Sequence, residues 1–110
     1  MVSRGEGVRR IEKEIVAEKA ATLGRAGERL EQALREAAER GACYDAARHP
    51  GDRERLAREY EAARQRAARA RLVLLIQREA VGLRHHRDVD RLFPEPIPLA
   101  RRPTNGAARG

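Results

Sequence analysis

A heptad-like seam in the second half of the chain constrains the fold more than any other feature. Its eight members recur at alternating steps of four and three: Leu56, Tyr60, Ala63, Ala67, Ala70, Leu74, Gln77 and Val81. This spacing places them on one face of an α-helix and is typical of helices that pack side by side over a long distance. Because alanines form the centre of the seam, we expect the partner helix to approach closely.

Residues that begin and end helices flank the seam. Pro50 stops any preceding helix, Asp52 is a suitable N-cap, and Gly82 can adopt the left-handed conformation that closes a helix. We therefore predict a helix over about 53–81, which would be ~43 Å long at the usual rise per residue.

The first part of the chain has the same periodicity. Apolar or small residues recur at steps of three and four: Val8, Ile11, Ile15, Thr22, Leu23, Ala26, Leu30, Ala33, Leu34 and Ala37. The pattern predicts a helix over about 8–41 that ends at Gly41, with residues 42–48 as one or two possible further turns. Gly24 and Gly27 lie inside it, each at a cost of ~1 kcal/mol relative to alanine. We expect one helix that is kinked at these glycines. The alternatives are that they divide the segment into two helices or that they allow a neighbouring helix to pack closely.

The C-terminal part combines a short helix with a strap. We predict the helix over 85–93, and four prolines after it exclude regular helix between residues 94 and 103. Ile97 and Leu99 are expected to hold the strap on the helices. We predict one helical domain over 8–100, a frayed N-terminus at 1–7, and a disordered tail at 101–110 that lacks large apolar residues.

The apolar collar, residues 72–76, predicts self-association. Its sequence Leu-Val-Leu-Leu-Ile covers nearly the whole circumference of the helix, and a helix that is apolar all round is buried all round. A two-helix hairpin also buries little surface by itself. The predicted fold class is therefore all-α, a long antiparallel helical hairpin that forms a four-helix bundle as a homodimer. The expected interface comprises Tyr60, Ala63, Ala67, Ala70, Leu72, Val73, Leu74, Leu75, Ile76 and Gln77.

Gln77 occupies a seam position at which an apolar residue is expected. A buried amide side chain must find hydrogen-bond partners. A polar seam residue often fixes helix register or oligomeric state. We expect Gln77 to form a hydrogen bond across an interface or to the backbone near Gly82.

The charge of the chain raises nucleic acid as an alternative partner. It has 24 Lys and Arg against 17 Asp and Glu, a net charge of +7. Arg64, Arg71 and Arg78 repeat every seven residues along one edge of the second helix, where they could contact phosphates. We prefer salt bridges across the hairpin. A loop centred near residue 46 would place Glu31 and Glu28 near Arg64 and Arg66. It would place Glu18 and Glu14 toward Arg71 and Arg78.

Membrane, secreted and disulfide-bonded classes are not supported by the sequence. No apolar run approaches the ~20 residues that span a bilayer, and the first residues show no secretory signal. The single cysteine, Cys43, cannot form an internal disulfide. These features predict a cytoplasmic protein.

Catalytic and metal-binding patterns are also weak. Ser3 is the only serine, and no Gly-rich phosphate loop or Glu-x-x-His pair is present. His85, His86, Asp88 and Asp90 provide too few ligands at metal-binding spacing. A DNA-binding helix-turn-helix over 72–93 is disfavoured because the two aspartates would repel phosphate. We expect no catalytic residue, no cofactor and no metal.

Two segments, residues 18–31 and 77–86, resemble parts of short helical proteins of proteobacteria that have no assigned function. The resemblance implies a bacterial, cytoplasmic helical protein and identifies no site residue. Taken with the seam and the collar, it leads us to expect a non-catalytic helical interaction or scaffold protein. A small basic nucleic-acid-binding protein that uses Arg64, Arg71 and Arg78 is the alternative.

Overall fold

A computed structural model describes residues 4–103, and that part of the chain is all-helical. Helix α1 spans Arg4–Ala46, α2 spans Pro50–Ala80, and the short α3 spans Arg87–Leu92. A single 3-10 turn follows at Leu99–Arg101. The two long helices pack as the antiparallel hairpin that the apolar spacing predicted, and no strand occurs among residues 4–103. Residues 1–3 and 104–110, which include most of the predicted tail, lie outside the described residues.

The connection between α1 and α2 differs from the prediction. Helix α1 continues through Gly41 to Ala46, and α2 already begins at Pro50, so only residues 47–49 link them. Proline is favourable in the first turn of a helix because no backbone N–H is required there. Asp52 therefore lies inside the first turn of α2 and is not the N-cap, which is His49.

An arginine of α2 completes the end of α1. The Nη1 atom of Arg53 donates to the carbonyl oxygens of Tyr44, at 3.2 Å, and Ala47, at 3.0 Å. The last carbonyls of a helix lack partners within the helix, and this contact brings a donor to the Tyr44 carbonyl in the last turn of α1 and to the Ala47 carbonyl in the loop. The guanidinium also lies 4.2 Å from the centre of the Tyr44 ring. The loop is thus stabilised by a side chain rather than by a glycine stop.

Gly24 and Gly27 do not divide α1, which is continuous over its 43 residues. A Cβ atom built on either glycine would meet nothing within 4 Å, so neither admits a closely packed neighbour among the described residues. Nothing in the described structure explains why glycine stands at these two positions.

The core between the helices is thin and rich in alanine. In the described part of the chain, eight apolar side chains are buried: Ala26, Leu30, Ala37, Tyr60, Ala63, Ala67, Leu74 and Val89. Four of them belong to the predicted seam of α2, which therefore faces α1 as the periodicity indicated. The result is a rod of 77 × 23 × 14 Å with a radius of gyration of 20.6 Å. A compact chain of this length would have a radius of gyration of ~13 Å.

Helix α2 ends as predicted, at a glycine in the left-handed region. Gly82 has φ +92°, and its N–H bonds to the carbonyl of Glu79 at 3.0 Å. The N–H of Leu83 bonds to the carbonyl of Arg78 at 2.9 Å, which completes a Schellman motif. This turn sends the chain back along the hairpin, so that α3 contributes Val89 to the core. Helix α3 is shorter than the predicted 85–93.

One end of α1 extends past α2. Ion pairs across the hairpin join Glu36 to Arg66 at 2.6 Å and Arg40 to Glu59 at 3.5 Å, which defines the register. In this register the end of α2 lies opposite Ala20. A groove lined by Ala20 and by the last residues of α2 confirms this position. Residues 4–18, which we call the arm, therefore project ~22 Å beyond α2.

Candidate interaction surface

Exposed apolar side chains concentrate on the half of the hairpin that lies away from the loop. Nine of the eleven large apolar residues that are exposed in the described part of the chain lie there. They are Val8, Ile11, Ile15, Val16, Leu72, Val73, Ile76, Val81 and Leu83. Their exposed fractions range from 38% to 65%. The other two, Leu92 and Ile97, belong to the C-terminal segment after α2.

The collar is covered on only part of its circumference. Leu74 is buried, and Leu75 packs against the same core cluster with Phe93 of the C-terminal segment. Leu72, Val73 and Ile76, which we call the collar face, are 44–56% exposed. The folded-back C-terminus therefore covers part of the collar and leaves the collar face free within the described structure.

The remaining residues of the predicted interface are used inside the hairpin. Tyr60, Ala63 and Ala67 are buried, and Ala70 is half-buried against the core. These side chains serve packing within one chain, so the seam is not free to contact a second copy. Only the collar face of the predicted interface is exposed.

Gln77 is half-buried, and its amide makes no hydrogen bond within the described part of the chain. The predicted bond to the backbone near Gly82 is therefore wrong, because the Schellman motif already satisfies the carbonyls of Arg78 and Glu79. A bond across an interface stays a prediction.

The arginine stripe holds the chain's own C-terminal segment. The side chain of Arg71 is 13% exposed, forms ion pairs with Asp90 and with Glu95 (3.3 Å), and donates to the carbonyl of Phe93 at 3.1 Å. The Nη2 atom of Arg78 donates to the carbonyl of His85 at 3.0 Å. These contacts tie the segment after α2 to the edge of the helix.

The predicted glutamate partners of these arginines are wrong. Arg64 pairs within α2 with Glu61 at 2.8 Å, and Arg66 pairs across the hairpin with Glu36 rather than with a glutamate nearer the N-terminus. The loop lies at residues 47–49 instead of residue 46, which moves the register by about one helical turn. The contacts of Arg71 and Arg78 were missed because the path of the C-terminal segment could not be predicted from the sequence.

A clasp near the loop was also missed. The Arg102 guanidinium forms two hydrogen bonds with the Asp45 carboxylate, at 3.1 and 2.6 Å, and a third with the Tyr60 hydroxyl at 3.2 Å. The hydrogen bond to Asp45 is the main reason that the pKa of Arg102 is raised above its ordinary value. The Tyr60 hydroxyl donates to the carbonyl of Ile97 at 2.7 Å. Arg102 is therefore packed, although the sequence assigned it to the tail.

Gly41 makes room for this clasp. A Cβ atom at residue 41 would lie 2.5 Å from the Cζ atom of Arg102. The glycine that suggested a helix end is thus a close-packing position one turn before Asp45. The only sequence signal of the clasp is the spacing of Gly41 and Asp45, one helical turn apart. This spacing can be interpreted only when Arg102 is known to lie beside both residues.

The histidines and aspartates near α3 form pairs rather than a ligand cluster. His86 lies 3.0 Å from a carboxylate oxygen of Glu79, and Asp88 lies 3.1 Å from Arg91. Among residues 4–103, no group of three or more His, Cys, Asp or Glu side chains could hold a metal ion. In the same range, no helix is both long enough and apolar enough to cross a bilayer.

Comparison with known proteins gives no match to a family model, to a characterised protein or to a solved structure. The resemblance to proteobacterial helical proteins stays a prediction. The function must therefore be argued from the surface of this chain.

Proposed function

We propose that this protein is a non-catalytic helical interaction protein that self-associates through the distal half of its hairpin. The observation that carries the proposal is the concentration of exposed large apolar residues on that half. Contiguous apolar surface on a water-soluble domain marks sites of association, because burying it is favourable and leaving it in water is costly. A second copy presents apolar surface of the same kind, so two such halves can cover each other.

The exposed side chains are sufficient in number for a dimer of moderate affinity. Burying the exposed half of a Val, Leu or Ile side chain contributes about 1 kcal/mol. The apolar residues of the arm alone provide four such side chains on each copy, and the collar face provides three more. Eight such side chains from two arms contribute about 8 kcal/mol, which lies within the range of the cost of association, ~4–15 kcal/mol.

The nucleic-acid alternative has no comparable support. Of its three arginines, Arg71 is almost fully covered, Arg64 pairs with Glu61, and Arg78 bonds to the segment after α2. A phosphate would have to displace these partners before it could bind. We also place the protein in the cytoplasm as part of this proposal, because an exposed lone thiol such as that of Cys43 persists in reducing compartments.

Sedimentation equilibrium of nucleic-acid-free protein tests the proposal. We expect a dimer that persists in high salt, since apolar association does not weaken with ionic strength as phosphate binding does. A variant that removes large apolar groups from both parts of the distal half, with Gln at Ile11, Ile15, Leu72 and Ile76, should raise the dimer dissociation constant by tenfold or more.

The matched control is Arg58→Gln with Ala62→Gln. It has the same spacing of four residues, and both positions are exposed on α2 in the half next to the loop. It should leave the dissociation constant unchanged. A monomer at every concentration, or nucleic-acid binding that disappears in high salt, would overturn the proposal.

A further inference from the structure

The arm of α1 is a helix without a neighbour in the described structure. Every residue from 8 to 21 is exposed, because α2 ends opposite Ala20. Val8, Ile11 and Ile15 recur at steps of three and four, so they share one face, and Val16 borders it. These four residues, which we call the arm stripe, are 47–65% exposed.

The composition of the arm does not favour an isolated helix. The arm stripe consists of β-branched residues, and the first turns of the arm contain Gly5 and Gly7. Both β-branched residues and glycine are weak helix formers. A helical segment of about 15 residues is marginal in water without tertiary packing. A partner that covers the arm stripe would supply this packing.

From these observations we propose that the arm pairs antiparallel with the arm of a second copy of this chain, end to end with α2. This inference rests on the proposed self-association and names the surface that performs it. The free surface of the arm lies where α2 would continue, and α2 runs antiparallel to α1. A second arm in that place has the direction that α2 has, and two-fold symmetry lets each arm cover the other.

The lengths agree with this arrangement. When the two arms cross at Ile11, residue 4 of one copy lies opposite residue 18 of the other, just before the position where α2 ends. The groove there is lined by Val16 and Leu23 of α1 and by Ala80 and Val81 at the end of α2. The N-terminus of the second arm would lie beside this groove.

The charges of the arm favour an antiparallel copy over other occupants. Residues 5–11 carry Arg9 and Arg10 against Glu6, a net charge of +1. Residues 12–18 carry Lys13 against three glutamates, a net charge of −2. Antiparallel pairing places the positive half against the negative half at both ends, whereas parallel pairing places like charges together. The arm as a whole, residues 4–18, has four basic and four acidic residues and no net charge, so it lacks the excess of basic residues that favours binding to anionic membranes.

Distances between spin labels on two copies locate the symmetry axis. A Cys43→Ser background carries one cysteine at a time at Lys13, Ala17, Ala21 or Glu28, all of which are exposed. If the arms cross near Ile11, the distance between the two copies of a label rises by ~3 Å for each residue away from the crossing, twice the helical rise. We therefore expect a continuous increase from position 13 to position 28.

Other arrangements give different profiles. A dimer centred on the collar face, which lies opposite about residue 26, would give the shortest distance at Glu28 and overturn the arm pairing while leaving self-association intact. A parallel pair would give equal distances along the series and also overturn it. A monomer would overturn both proposals, and a monomer whose arm binds anionic vesicles would assign the arm stripe to a lipid surface.

A pair of variants provides the second test. Ile11→Asn with Ile15→Asn should raise the dimer dissociation constant at least tenfold without changing the hairpin, because neither residue contacts the buried core. The matched control Lys13→Asn with Ala17→Asn has the same spacing on the other side of the arm and should leave dimerisation unchanged. An unchanged dissociation constant in the Ile11 and Ile15 variant, with helix content retained by circular dichroism, would overturn the proposal.

Discussion

At the scale of single residues, the same amino acid has different roles in one helix. Gly24 and Gly27 have open space beside them, whereas Gly41 is buried against the Arg102 guanidinium. The sequence marks all three only as weak positions in a helical pattern. Their difference depends on where the C-terminal segment lies, and that path is set by contacts between residues about 60 positions apart.

Gly41 and Arg102 should be energetically coupled. In the natural chain, Gly41→Ala should give no gain in the free energy of unfolding or a loss, because the new Cβ atom displaces the guanidinium from Asp45. In an Arg102→Gln background, the same substitution should stabilise by about 1 kcal/mol through helix propensity. Urea denaturation of the natural chain, the two single variants and the double variant measures the free energies of unfolding. An equal effect of Gly41→Ala in both backgrounds would contradict the clasp.

Gly24 and Gly27 provide the complementary prediction. Either Gly24→Ala or Gly27→Ala should increase the free energy of unfolding by about 1 kcal/mol, because alanine is the better helix former and meets no atom there. Thermal and urea denaturation measure the change. A loss of stability would show that a neighbour occupies the space beside these glycines, as in a tighter oligomer.

At the scale of elements, periodicity was a reliable guide and boundaries were not. The spacing of the apolar residues predicted both long helices and the face of α2 that meets α1, because helix packing requires that spacing. The loop was misplaced because Gly41 was interpreted as the end of the first helix. Pro50 is instead the first residue of α2, and only three residues connect the two helices. The register, and with it the ion pairs, depends on this loop. The apolar collar could be recognised in the sequence. The exposed arm could not, because its exposure depends on the relative lengths of the two helices.

Arg71 should anchor the C-terminal segment. Arg71→Gln removes the ion pairs with Asp90 and Glu95 and the bond to the Phe93 carbonyl. We expect amide hydrogen exchange in α3 to become at least tenfold faster, while exchange in the middle of α1 and α2 stays unchanged. Arg69→Gln is the control, since Arg69 is exposed and bonds only to the carbonyl of Gln65 in its own helix. Equal exchange in both variants would show that apolar packing alone holds the segment.

At the scale of the whole molecule, the two halves of the rod differ in how completely they are packed. Near the loop, Tyr60, Asp45 and Arg102 close the structure with partly buried polar contacts. At the other end, the arm extends beyond α2 and the collar face points away from the core. We propose self-association on the basis of this difference, because one half of the described molecule is packed and the other presents apolar surface to water.

The mass of the particle in solution tests this account most directly. Light scattering during size-exclusion chromatography of nucleic-acid-free protein should give twice the chain mass of 12.4 kDa, with the dimer retained in high salt. A particle of 12.4 kDa at every concentration would contradict the central claim that the distal half of the hairpin is completed by a second copy.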